Sequence, residues 1–72
     1  MEKANFNENA VANFEGANFI SVADFYQANF HEKAIFTDAN FNNIANFGGA
    51  NFNARANFHG VSFNERVNFN GT

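Results

Sequence analysis

The sequence predicts an all-β solenoid, a ribbon of very short strands wound around a phenylalanine core. Three observations carry that reading. Phenylalanine returns at Phe14, Phe19, Phe25, Phe30, Phe36, Phe41, Phe47, Phe52, Phe58, Phe63 and Phe69, with gaps alternating five and six, so the true period is eleven residues. Each ring closes a triplet of small apolar, mostly polar and large apolar residues, as in Ala12-Asn13-Phe14, Ala23-Asp24-Phe25 and Val67-Asn68-Phe69. Polar residues or glycine follow, as in Glu15-Gly16, Gly48-Gly49, His59-Gly60 and Asn70-Gly71.

Alternation of period two places the outer residues of each triplet on one face of a strand and the middle one on the other. The pairs that follow read as turns. Each unit is therefore a three-residue strand and a corner, and strands so short are stable only when neighbouring units pair. The sixth residue of every long unit, at Val11, Val22, Lys33, Ile44, Arg55 and Arg66, lies outside the Ala/Phe pattern and accepts both charge and branching. It belongs at a wider corner facing solvent. A helix is excluded: at roughly 100° per residue, successive rings would step by about 140° and then about 240°, which makes no apolar stripe. Asn and Gly also crowd the repeats, and both are poor helix formers. A disordered Asn- and aromatic-rich tract predicts loose spacing. The spacing here is strict.

Tandem Ala-Asn-Phe-x-x resembles the pentapeptide-repeat proteins, whose units carry a small residue, Asp or Asn, Leu or Phe, and two polar residues. The resemblance covers nearly the whole chain. It implies a right-handed quadrilateral β-helix with four short faces per coil, Ala and Phe pointing inward. Two departures stand out: the centre is consistently Phe, and every second repeat has six residues, which makes a coil of twenty-two residues and about three coils in all. Such a coil stacks Phe14, Phe36 and Phe58 in one column, Phe19, Phe41 and Phe63 in the next, then Phe25, Phe47 and Phe69, and Phe30 with Phe52. Rungs about 4.8 Å apart allow offset ring contact. A flat eleven-residue coil, the competing geometry, stacks Phe14 on Phe25 and leaves little room for two opposed ring columns.

The chain reads as one domain, residues 1–72, with 1–11 an irregular first turn and 12–71 regular. Phe6 precedes Phe14 by eight residues, so Asn7-Glu8-Asn9-Ala10-Val11 must hold a bulge or truncated unit. Val11, five residues after Phe6, is able to take an inward position there. Middle-position Asn side chains are expected to hydrogen-bond along columns, as ladders do in cross-β assemblies. Ile35 interrupts them, and with Ile20, Tyr26 and Ile44 it is a candidate contact patch.

Chemistry-bearing constellations are absent from the pattern. Without Cys there is no disulfide or thiolate metal site. His31 and His59 fall on different outward faces with no third ligand, so no metal site is expected. Ser21 and Ser62 occupy repeat positions, and Gly48-Gly49 reads as a corner, not a phosphate cradle. Asn70-Gly71-Thr72 matches a glycosylation acceptor, but no secretory segment accompanies it. No catalytic residue and no cofactor are expected, and no basic aromatic surface suits nucleic acid. No apolar run reaches membrane-spanning length, and the expected location is the cytoplasm.

Charge is uneven. Residues up to 38 hold Glu2, Glu8, Glu15, Asp24, Glu32 and Asp38 against Lys3 and Lys33, and the remainder holds Glu65 against Arg55 and Arg66. An acidic start and a faintly basic end favour head-to-tail stacking. Terminal coils of a solenoid carry unpaired strand edges. The expected function is a non-enzymatic structural or interaction module that self-associates end to end as a dimer or filament, or docks another protein. The resemblance implies an alternative, a DNA-mimicking acidic rod that binds a type II topoisomerase, and this would need columns of carboxylates. Ice binding would want ordered Thr rows, and only Thr37 and Thr72 are present.

Overall fold

The computed structural model describes Asn5–Phe6 and residues 11–72. Among these residues there are twelve two-residue strands and no helix. They are β1 (Asn5–Phe6), β2 (Ala12–Asn13), β3 (Asn18–Phe19), β4 (Ala23–Asp24), β5 (Asn29–Phe30) and β6 (Ala34–Ile35) in the first half. The second half holds β7 (Asn40–Phe41), β8 (Ala45–Asn46), β9 (Asn51–Phe52), β10 (Ala56–Asn57), β11 (Ser62–Phe63) and β12 (Val67–Asn68). Each strand from β1 to β8 pairs in parallel with the strand four positions later, giving four three-stranded sheets: β1-β5-β9, β2-β6-β10, β3-β7-β11 and β4-β8-β12. These are faces 1 to 4 of a single winding ribbon. Parallel strands need a connection that returns the chain to the same edge, and here the other three faces are that connection.

Register sets the coil length. Ala12 lies opposite Ala34 and Ala34 opposite Ala56, so one coil is twenty-two residues. The contact between Phe14 and Phe36 does not by itself exclude the flat eleven-residue coil, because Phe14 touches Phe25 as well, at 5.7 Å against 5.1 Å. The core is narrow enough for opposite walls to meet, and strand pairing decides instead. Face 1 departs once: Asn5 lies opposite Asn29, an offset of twenty-four. The two additional residues fall between Phe6 and Ala12, and residues 7–10 of that stretch lie outside the described residues. Val11 does not take an inward position: it is 47% exposed. It stands immediately before inward-facing Ala12, where period-two alternation turns it to solvent.

The five- and six-residue spacings make two kinds of corner. After the shorter gap, the chain turns through four residues closed by a backbone bond, as from the Ala17 amide to the Phe14 carbonyl at 3.0 Å and from Ala39 to Phe36 at 2.9 Å. The third residue of each such turn has positive φ: Gly16, Gln27, Asp38, Gly49, Gly60 and Gly71, between 58° and 74°. A positive φ at that one position defines a type II turn. Glycine is favoured there, and Gln27 and Asp38 bear the cost of a side chain in the left-handed region. The longer gap instead makes a three-residue bend, as at Ile20-Ser21-Val22 and His31-Glu32-Lys33. Its last residue is exposed at every coil.

The interior is a lattice of rings. Phe30, Phe36, Phe41 and Phe47 are fully buried, together with Ala28, Ala34, Ala45 and Ala50. Along the axis, rings stack nearly parallel: Phe19 on Phe41 at 4.5 Å and 3°, Phe30 on Phe52 at 4.8 Å and 0°, Phe36 on Phe58 at 4.9 Å and 3°. Across the axis, faces 2 and 4 interleave edge to face, in the series Phe14, Phe25, Phe36, Phe47, Phe58 and Phe69 at 5.6 to 5.8 Å. Both arrangements are favoured for aromatic pairs. Alanine in most triplets, with valine at Val61 and Val67, keeps the walls close enough for these contacts.

Candidate interaction surfaces

Asparagine does two different jobs on the outside of the coil, decided by the corner that follows it. On faces 2 and 4, which lead into type II turns, the middle side chain bonds forward to its own turn. Asn13 Oδ1 accepts from the Glu15 amide at 3.0 Å, Asp24 Oδ1 from Tyr26 at 3.1 Å, and Asn46, Asn57 and Asn68 from the amides two residues on at 2.9 Å. These are Asx turns. At Ile35 the series breaks, because an aliphatic side chain offers no acceptor to the Thr37 amide. On faces 1 and 3, which lead into the wide bends, the side chains bond between coils. Asn42 Nδ2 donates to Asn18 Oδ1 at 2.9 Å, Asn53 to Asn29 at 3.3 Å and Asn64 to Asn40 at 3.1 Å. Bonds straight up a column occur too, from Asn64 to Asn42 at 2.8 Å and from Asn68 to Asn46 at 3.2 Å.

Apolar surface gathers on one edge. Ile20 is 71% exposed and shares the bend between faces 3 and 4 with Val22, and Ile44 occupies the position of Val22 one coil later. Tyr26 lies on the next corner, its ring over Gly48, where a Cβ would meet the Tyr26 Cδ1 at 3.2 Å. Ile35 stands apart, half-buried on face 2, on the opposite side of the square. The four-residue patch expected from Ile20, Tyr26, Ile35 and Ile44 is thus replaced by a ridge of Ile20, Val22 and Ile44. Val22 was legible as part of it, since twenty-two residues separate it from Ile44. A shallow depression beside this ridge is lined by Ile44, Asn46, Arg66, Val67, Asn68, Phe69 and Asn70.

The last coil is the most open. Phe52, Phe58 and Phe63 are only partly buried and Phe69 is 39% exposed. The ladder explains the polar side of that end. In the middle coil the amides of Ala34, Phe36, Ala45 and Phe47 donate to the carbonyls of Arg55, Asn57, Arg66 and Asn68 one coil on, at 2.8 to 3.0 Å. Ala56, Phe58, Val67 and Phe69 hold the same positions in the last coil. Their amides have no acceptor among the described residues.

No chemistry assembles on the square. Exposed His31 and His59 sit on different corners, and among the described residues no three of His, Cys, Asp and Glu come together as a metal site. Ser21 and Ser62 are exposed in a bend and on face 3. The described carboxylates do not line up: Glu15, Asp24, Glu32, Asp38 and Glu65 fall on several corners and faces, and the column through Asp38 continues to Gly16 and Gly60. No helix among the described residues is long and apolar enough to cross a membrane.

Parallel two-residue strands, four faces, inward Ala and Phe, and a corner every five or six residues define a four-sided β-solenoid. A family model described as pentapeptide repeats matches residues 2–48 and 25–72, and the chain belongs to that family. No curated protein and no solved structure matches it.

Proposed function

We propose that this chain is a non-enzymatic structural and interaction module of the cytoplasm that docks end to end on a second copy of itself. The supporting observation is the last coil, where outward amides at Ala56, Phe58, Val67 and Phe69 surround partly uncovered rings. A strand edge of this kind is a template for another strand. The first coil of a second copy offers carbonyls in the complementary positions, such as those of Val11 and Val22, whose equivalents Lys33 and Ile44 accept from the coil below. Charge favours the same pairing: exposed Arg55 and Arg66 lie in the last coil, Glu15 and Asp24 in the first. Docking buries the Phe69 ring and continues the stacks.

Sedimentation velocity over a dilution series tests this. Association should weaken with added salt, because exposed charges are screened within about 8 Å at physiological ionic strength. Phe69→Lys should leave the β signature intact while weakening association roughly tenfold or more, since a charge cannot be buried unpaired at the joint. A wild-type chain that stays folded and monomeric at every concentration overturns the reading. The DNA-mimicking alternative has no column of carboxylates behind it among the described residues, and a topoisomerase-protection assay is expected to show no effect.

A further inference from the structure

We propose that Asn70 is a site of spontaneous deamidation and isomerisation in the undocked chain, where the last coil is open. It is the one asparagine in the chain followed by glycine. Glycine presents a backbone nitrogen with no neighbouring Cβ to obstruct its approach to the preceding side chain. Asn13, Asn46, Asn57 and Asn68 are all followed by Phe, and their Oδ1 atoms are held by the amide two residues on. Asn70 is exposed, and no hydrogen bond holds its side-chain amide among the described residues.

The nucleophile is equally unrestrained. In the coils below, the amides of Gly16, Gln27, Asp38 and Gly49 all donate to a carbonyl of the next coil, Gly49 to Asn70 itself at 2.8 Å. Gly71 is the same position in the last coil, and its amide has no acceptor among the described residues. The turn around it is also looser. Its closing bond, from the Thr72 amide to the Phe69 carbonyl, is 3.2 Å, close to the 3.3 Å from Val61 to Phe58 in the same coil, against 2.9 to 3.0 Å from Ala17 through Ala50.

The reaction needs only water. The Gly71 nitrogen loses its proton and attacks Cγ of Asn70, the Cγ–Nδ2 bond breaks, and ammonia leaves, forming a five-membered succinimide. Water then opens either carbonyl, yielding aspartate or, when the main chain is left running through the side-chain carbon, isoaspartate. Isoaspartate inserts a methylene into the backbone and displaces the carbonyl that accepts from Gly49. Either product places a carboxylate on the last coil, in the depression that Asn70 lines with Arg66 and Phe69.

The full chain is incubated folded in mildly alkaline buffer, diluted until it sediments as a monomer, and sampled by peptide mapping with an isoaspartyl methyltransferase readout. A mass gain of about 1 Da should appear first on the peptide bearing Asn70, with methyl-accepting isoaspartate in the same peptide. In Asn70→Gln the early gain should slow by roughly tenfold or more, because closing a six-membered ring fixes one more side-chain rotor. Conversion at another asparagine before Asn70, or an unchanged early rate in Asn70→Gln, overturns the inference.

Discussion

Shortening Phe36 to Leu, beside the same change at Phe69, separates a core made of rings from one made of generic apolar bulk. Phe36 is fully buried and contacts six rings: stacked on Phe14 at 5.1 Å and Phe58 at 4.9 Å, edge-on to Phe25, Phe30 and Phe47, and tilted to Phe41. Losing that many pairs, at the low end of aromatic pair energies, costs about 2 to 3 kcal/mol. Phe69 stacks on Phe47 at 5.0 Å, meets Phe58 and Phe63 edge-on, and is 39% exposed, so the same change should cost about 0.5 to 1 kcal/mol. Urea unfolding followed by far-ultraviolet circular dichroism reads the difference. With a slope of about 1 kcal/mol/M for so small a chain, the midpoint should fall by about 2 M or more for Phe36→Leu and by under about 1 M for Phe69→Leu. If both midpoints fall equally, the rings act as interchangeable filler and the reasoning fails. Repeating the measurement on dilution keeps it clear of association, which would bury Phe69.

The corners yield three further expectations. Gln27→Gly removes a side chain from a residue at φ 58° and should stabilise by about 0.5 to 1 kcal/mol, seen as a raised midpoint in the same titration. Gly60→Ala should destabilise by about 1 to 3 kcal/mol, since φ is 73° and the new methyl meets the Asp38 carboxylate; adding Asp38→Gly should restore part of the loss. Ile35→Asn supplies the missing acceptor for the Thr37 amide and should gain about 0.5 to 1 kcal/mol, with slower hydrogen exchange at that amide. An Ile35→Asn chain no more stable than wild type would mean the Asx bonds are incidental to the turns.

Most of the architecture was legible in the spacing of one residue type. Strict gaps between rings leave a helix no stripe, and a wound ribbon of short strands is the arrangement that returns every ring to the inside. Handedness of contact inside the square was not legible: whether Phe14 meets Phe25 as well as Phe36 depends on the width of the core, which alternation along a strand does not report. The two jobs of asparagine were missed for a different reason. Alternation says that Asn13 and Asn18 both face out, but only the geometry of the following corner decides that one bonds to Glu15 and the other to Asn42. The signal was available as the gap length, five residues after Phe14 and six after Phe19. Val11 faces solvent although it follows Phe6 by a repeat-like five residues, because its adjacency to inward Ala12 decides its side of the strand.

Tight and wide corners alternate, so half a coil of eleven residues is already a complete cycle of corner types. Inserting or deleting one five- or six-residue unit would set turn chemistry where a bend is needed and disturb every later level. An eleven-residue change keeps rings inside and corners matched, yet carries everything beyond it half a revolution about the axis. A ridge such as Ile20, Val22 and Ile44 would then look out from the far side of the rod. Length and facing are therefore coupled in this solenoid, and a lineage can grow it only in steps that also decide which way its distal surface points.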